Sequence, residues 1–368
     1  MDLTRRDFVK AAGALATAAG LQGAGLLGAS QALGLPAELG GVPVIWLQGQ
    51  ACSGCSVSLL NSVHYATIDD LAVNTLDMKF HRTIMAGAGE PAVSAVEIAY
   101  DAGGYVLVVE GAIPADRRGV FCELWPDENA LDAVRRFARR AAFVIAAGTC
   151  ACYGGISGAA PNPTGARGLG TFFAGTPVIN IPGCPVHPDW LVGVVAYLIA
   201  NGQLPPLDGY GRPIDYFGTR IHSGRCPHRD AYNADIYASS LGEEGCLLHM
   251  GCRGRDTRAD CGLRKWNADG PAGSADQYGV SWCIQAGSPC YGCTQPDFPD
   301  GTAPFYTVQA VPAAPVGRVD NATTGALDDA PAAPAPPAPG KKHAGTMASA
   351  RRKRPSAPNT LERLSRSN

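Results

Sequence analysis

VPVIWLQGQACSGCSVSLLNSV, residues 42–63, runs from a β-branched apolar stretch through a glycine into a Cys-x-x-Cys pair and then into helically spaced leucines. That order predicts a strand over 42–49, a loop carrying Cys52 and Cys55, and a helix after it. The strand-then-glycine form returns in GYVLVVEGAIP (104–114), AAFVIAAGTCACYGG (141–155) and TPVINIPGCPVHP (176–188). Between them lie helix-like stretches such as ENALDAVRRFARR (128–140). Apolar strands alternating with helices predict an α/β fold with a parallel, doubly wound sheet. In such a sheet the loops at the carboxyl ends of the strands form the binding crevice. Three of the four loops carry cysteine: Cys52 with Cys55, Cys150, and Cys184.

The composition suits this reading. The chain has 368 residues, 46% hydrophobic and 17% charged, and a formal charge of −2, which is globular and gives no sign of nucleic-acid binding. High glycine (46) and proline (29) predict many tight turns. Thirteen cysteines are too sparse for a disulfide scaffold and too odd for complete internal pairing.

The ends differ from the middle. LTRRDFVK (3–10) sets paired arginines before a weakly apolar Gly/Ala-rich run, and Ser30-Gln31-Ala32 offers a cleavage site. Residues 1–32 therefore read as a twin-arginine export signal, with a membrane anchor or an N-terminal helix as the alternative. Residues 41–204 hold the strand–helix pattern. Residues 205–312 are rich in Gly, Pro, Cys and Asp and poor in periodicity, so they are expected to rely on a device such as metal ligation. From 313 to 368 the chain is Pro/Ala-rich and then basic (Arg351–Arg354), the composition of a disordered tail. Its charge suits docking on a partner or an anionic surface, and equally a solvated extension.

The cysteines sort into fours. Cys52, Cys55, Cys150 and Cys184 share one sheet edge, and four thiolates suit structural zinc or a 4Fe–4S cluster. HSGRC and EGCLLHMGC supply His222, Cys226, Cys246 and Cys252. Histidine can replace a thiolate on iron–sulfur centres. Cys261, Cys283, Cys290 and Cys293 make the third set. Cys122 and Cys152 remain over, as ordinary thiols behaving like small hydrophobes.

On VIWLQGQACSGCSVSLLNSVH, LVVEGAIP, GTCACYGGI, VINIPGCPVHPDWLVG, GCRGRDTRADC and WCIQAGSPCYGCTQPDFPDGTAPFY, the chain resembles the small subunit of NiFe hydrogenases, including the NiFeSe branch. The resemblance covers roughly residues 42–310. It implies a flavodoxin-like N-terminal domain and a mostly irregular, cluster-held C-terminal one. It assigns Cys52, Cys55, Cys150 and Cys184 to a proximal 4Fe–4S cluster, and His222, Cys226, Cys246 and Cys252 to a distal 4Fe–4S cluster. Cys261, Cys283, Cys290 and Cys293 would hold the medial one. Many members have proline at the position of Cys283 and a 3Fe–4S medial cluster; the SWC stretch here resembles the NiFeSe branch, so a fourth thiolate and 4Fe–4S are expected, against a spectator thiol beside three irons.

Two departures from the family pattern stand out. Three residues separate His222 from Cys226 where two are usual, with His228 a lesser substitute ligand. Gly54 and Gly155 stand where oxygen-tolerant relatives carry extra cysteines, so tolerance of that type is not expected. The resemblance further implies a separate large subunit with the Ni–Fe site, no catalytic residue on this chain, and a periplasmic or extracytoplasmic heterodimer. The acceptor would be a cytochrome c or a membrane cytochrome subunit. A zinc-stabilised binding module is the competing class. A quinone-reductase subunit related to respiratory complex I would share the first domain but would not need His222 to Cys293.

Overall fold

The carboxyl ends of four strands finish on one line, and this positions everything that follows. The computed structural model describes residues 41–307 apart from 174, 225 and 269–278. The segments read as an export signal and a disordered tail lie outside the described residues. Strand β1 (Val42–Gln48) is buried along its whole length, as VPVIWLQ requires. It is followed by helix α1 (Gly54–Leu60), strand β2 (Leu76–His81), helix α2 (Glu90–Ala102) and strand β3 (Val106–Glu110). Then come helix α3 (Ala130–Ala138), strand β4 (Phe143–Ala147), helix α4 (Gly148–Tyr153), strand β5 (Ile179–Ile181) and helix α5 (Pro188–Asn201). The sheet order is β2-β1-β3-β4-β5, and every pairing is parallel. This is the doubly wound order of flavodoxin-like folds. Gln48 pairs with Glu110, Glu110 with Ala147, and Ala147 with Ile181, so the strand ends form a row.

Alternation along the strands divides the core in two. Val44, Trp46, Val106, Val108, Ile145 and Ala147 face α1 and α5. Ile45, Leu47, Leu107, Val109, Val144 and Ala146 face α2 and α3. In α3 the apolar residues Leu131, Val134 and Phe137 fall at helical spacing, and the Asn129 side chain caps the first turn by accepting from the Asp132 N–H at 3.0 Å. The helix is shorter than the 128–140 pattern suggests because Glu128 and Asn129 pair with the preceding segment as a short ladder. Strand β2 escapes a reading by pattern: LDMKFH mixes charge and apolar residues because it is the half-buried edge of the sheet.

Beyond α5 the elements are short, but the apolar core does not stop there. Leu247, Trp282, Ile284 and Cys290 pack into the same cluster as Trp190 and Phe217. Polar ties reinforce it. Arg264 pairs with Asp260 (3.0 Å) and Asp189 (3.6 Å) and donates to the Tyr65 hydroxyl (3.1 Å), and Trp190 Nε1 donates to Asp260 (2.6 Å). The irregular region is thus joined to the sheet by isolated large side chains rather than by a periodic face. Among the described residues no helix is long and apolar enough to cross a membrane.

Phe137 is fully buried among Tyr100, Tyr105 and Trp125, with the Tyr105 hydroxyl donating to its carbonyl at 2.6 Å. Phe137→Ala is expected to destabilise the chain by about 3–5 kcal/mol. Chemical denaturation with an unchanged m-value would check it.

Candidate metal centre

The first sulfur set sits where the strand ends line up. Cys52 and Cys55 follow β1, Cys150 lies in α4 directly after β4, and Cys184 follows β5. A buried carboxylate organises this edge. Glu110, at the end of β3, accepts from Trp46 Nε1 (3.1 Å), Gln48 Nε2 (3.0 Å), the Cys55 N–H (3.0 Å), the Ser56 N–H (3.3 Å) and the Ser56 hydroxyl. Residue Ser53, which precedes α1, is left-handed and makes no side-chain cap, so Glu110 satisfies the first N–H groups of that helix from the neighbouring strand. In the sequence the Glu110 carboxylate of VEGAIP reads equally as a structural group near the first set or as a surface or loop-capping one; the β1–β3 register shows which donors it meets.

His81 extends the network. Its Nδ1 accepts from the Thr83 N–H (3.2 Å), so Nε2 carries the proton and faces the Ser56 hydroxyl at 3.2 Å. Burial pushes His81 down to about 4, with nearby Glu110 opposing the shift.

The four thiols lie within electrostatic reach of one another. Burial above all pushes Cys55 well up; the Val186 N–H, 3.5 Å from its sulfur, opposes this, and Glu110, Cys150 and Cys184 add to it. Cys150 is raised by burial, with Cys52 and Glu110 adding, while the Ile156 and Ser157 N–H groups point at its sulfur and lower it. Burial, then Cys150 and Cys52, push Cys184 up to about 11. Burial raises these thiols, and a metal-bearing group bound here would supply the positive charge to hold them as thiolates. Two glycines make room. A Cβ at Gly148 (φ +84°) would stand 2.4 Å from the Cys55 sulfur, and one at Gly155 (φ +50°) 2.8 Å from that of Cys150.

The third set gathers behind the first. Cys261, at the start of helix α6 (Cys261–Arg264), is raised by burial and then by Cys293, Asp260, Cys290 and Cys283. Burial pushes Cys293 up to about 12, opposed by the Cys184 N–H, with Cys283 and Cys184 adding. The Thr149 hydroxyl donates to the Cys293 carbonyl and accepts from the Gly183 N–H (2.8 Å), tying α4, the β5 loop and the third set together. Cys283 lies on the surface side of this group.

The second set rims a pocket with roughly 340 Å³ of atom-free space that opens to solvent. His222, Cys226, Cys246 and Cys252 all line it, together with His228, Tyr232 and Arg255. The His222 ring packs edge-on against Tyr232, centroids 4.4 Å apart, and the His222 backbone N–H donates to the Gly254 carbonyl (3.1 Å). The backbone N–H of His228 points at the Cys226 sulfur. The second and third sets touch: the Cys290 N–H donates to Cys252 Sγ at 3.3 Å. The first and third touch likewise, through the Cys184 N–H and the Cys293 sulfur. Two thiols are left over, of which Cys152 still lies within electrostatic reach of Cys55 and Cys150. Cys152 is buried and donates to the Ala146 carbonyl at 3.3 Å, and half-buried Cys122 packs on the core of the opposite sheet face.

The donor chemistry fits iron–sulfur groups. All thirteen cysteines are free thiols, and the sets combine soft sulfur with one imidazole. Among the described residues no three His, Cys, Asp or Glu side chains converge at the spacing a single metal ion demands.

Comparison with known proteins gives a consistent result. Residues 52–198 match the family model described as NADH ubiquinone oxidoreductase, 20 Kd subunit, and residues 217–306 match the family model for the C-terminal part of the NiFe/NiFeSe hydrogenase small subunit. The chain is 38% identical over 330 residues to the periplasmic [NiFeSe] hydrogenase small subunit of Desulfomicrobium baculatum, covering 84% of this chain and 100% of that one. It is 36% identical over 300 residues to the hydrogenase-2 small chain of Escherichia coli K12, covering 80% of this chain and 77% of the relative. The solved structure of recombinant [NiFeSe] hydrogenase from Desulfovibrio vulgaris Hildenborough superposes with a TM-score of 0.66 at 40% identity, covering 73% of this chain and 98% of that chain.

Gly148→Ala is expected to displace the Cys55 sulfur and lower the metal content of the chain; metal analysis of anaerobically purified protein reads it directly. His81 gives a pH signature. Its folded pKa lies below its unfolded one, so the unfolded state binds more protons between about pH 6.5 and 4, and stability falls as pH drops through that window. The expected loss is on the order of 1–3 kcal/mol. His81→Gln should flatten that slope in thermal melts taken across the window.

Proposed function

Because the chain belongs to the family of NiFe and NiFeSe hydrogenase small subunits, electron-transfer subunits paired with a large subunit, we propose that it carries three iron–sulfur clusters in series between the large subunit's hydrogen-activating site and an external acceptor. In this reading Cys52, Cys55, Cys150 and Cys184 hold a proximal 4Fe–4S cluster, and Cys261, Cys283, Cys290 and Cys293 a medial 4Fe–4S cluster. His222, Cys226, Cys246 and Cys252 hold the distal one. Bound in these positions, iron–sulfur groups supply one-electron carriers, while hydrogen itself is cleaved on the large subunit.

The observation that carries the reading is the linkage of the sets. The Cys184 N–H reaches the Cys293 sulfur, and the Cys290 N–H reaches the Cys252 sulfur, so the three groups are joined end to end by backbone atoms. The chain's own contribution is to hold and tune. Backbone N–H groups of Val186, Ile156, Ser157, Gly292, Leu248, Gly254 and His228 face ligand sulfurs. Such donors stabilise the more negative, reduced state and set each potential. No acid, base or nucleophile of this chain is needed for bond cleavage.

We take residues 41–204 as the proximal-cluster domain and 205–312 as the domain of the other two. The match of residues 52–198 to the 20 Kd oxidoreductase family fits a first domain shared with that family, and the hydrogenase-specific match of 217–306 supports the hydrogenase reading over it. The paired Arg5 and Arg6 ahead of a Gly/Ala-rich run, with relatives named periplasmic, support twin-arginine export to a periplasmic or extracytoplasmic site. A cytochrome, soluble or membrane-bound, is the acceptor this location suits.

Intact, anaerobically isolated protein should contain about twelve irons per chain. Its oxidised form should lack an intense three-iron paramagnetic signal, and Cys283→Ser should bring that signal in. A strong three-iron signal already present in the wild type would refute the fourth medial thiolate.

A further inference from the structure

The distal pocket is lined by one cation that the reading above does not use. Arg255 stands on the turn that follows Cys252, where the Asp256 and Thr257 N–H groups and the Thr257 hydroxyl (2.7 Å) all donate to the Arg253 carbonyl. The turn is fixed by its own hydrogen bonds. The Arg255 side chain is 28% exposed, and its Nε lies 3.5 Å from Asp256 Oδ1, a loose pair with a carboxylate that is itself 66% exposed. Its Nη1 is buried and, among the described residues, has no hydrogen-bond partner. An unpaired buried donor on a charged group is costly, and folded proteins seldom leave one without a reason. Leu247, Leu248 and Ile284 on the pocket wall offer it no side-chain acceptor, and the Tyr232 hydroxyl, the imidazoles and the cysteine sulfurs that also line the pocket lie beyond its hydrogen-bond reach, so the acceptor would have to come from a group bound in the pocket.

We propose that Arg255 directs its Nη1 hydrogen bond at a sulfur of the cluster held by His222, Cys226, Cys246 and Cys252, acting as a positioning residue that raises the reduction potential of that cluster. The inference rests on the iron–sulfur reading of the pocket. Each added electron makes the cluster more negative, so a fixed cation and its N–H stabilise the reduced form more than the oxidised form. The low dielectric of a partly closed pocket strengthens the effect relative to a surface charge. Arg229, the other cation within electrostatic reach of His222, is committed to the Ser223 carbonyl at 2.5 Å.

The test is a redox titration, followed by electron paramagnetic resonance, of the anaerobically purified heterodimer in wild-type, Arg255→Met, Arg255→Lys and Asp256→Asn forms. Arg255→Met should shift the distal reduced-to-oxidised ratio about tenfold toward oxidised, ~59 mV for a one-electron step, leaving the other two midpoints and the iron content unchanged. Arg255→Lys should fall between, and Asp256→Asn should match the wild type. A distal midpoint in Arg255→Met equal to the wild type, with iron complete, overturns the proposal. Should that variant lose iron at the site, Arg255→Lys decides: a wild-type midpoint there overturns the guanidinium assignment, and a lowered one supports it. Wild-type protein whose metal analysis shows no iron in the pocket overturns the proposal together with the cluster reading beneath it, whereas a full complement with an unmoved midpoint overturns the role of Arg255 alone.

Discussion

One buried carboxylate holds the cysteine-bearing edge of the sheet in place. Glu110 closes β3, receives the side chains of Trp46 and Gln48 from β1, and receives the first N–H groups of the helix bearing Cys55. A carboxylate taken from water without compensation would be a large liability. Five donors converging on its two oxygens offset that, and they also fix where Cys55 stands relative to the strand ends. His81, from the edge strand, completes the arrangement through the Ser56 hydroxyl. The position of the first sulfur set is therefore inherited from a polar cluster inside the sheet, not from the sulfurs themselves.

From there the other sets follow by contact. Thr149, one residue before Cys150, binds both the β5 loop and the carbonyl of Cys293. Cys290 binds Cys252. Each set is anchored to the next by a hydrogen bond involving the backbone of one of its own cysteines, so a displacement of one set is passed to its neighbour. The long buried helix α5 and the apolar residues Leu247, Trp282 and Ile284 clamp the irregular region against the sheet.

Much of this is legible in the residues alone. Four of the five strands announce themselves as β-branched runs ending in glycine, and the loops after three of them carry sulfur, so the first set can be assembled on paper. Strand β2 cannot, because an edge strand has no need of a continuous apolar run and its Asp77 and Lys79 pair with each other instead. The region after residue 204 misleads for a different reason. Its buried residues are single large side chains without a period, so a pattern search finds little core where the structure has one. The joins between sets are also invisible: Cys252 and Cys290 lie 38 residues apart, and nothing in the spacing announces that they meet. Arg255 gives no signal either, because one of three arginines in GCRGRDTRADC reads as surface charge until the pocket beside it is seen.

The shared finishing line of Gln48, Glu110, Ala147 and Ile181 makes the sheet a ruler. Inserting or deleting one residue within any of these strands would slide its loop by roughly 3.3 Å and turn inward-facing side chains outward. Loops that begin at the opposite rim face no such gauge. A change of length would therefore be borne at the amino rim more readily than within the strands that set the carboxyl rim.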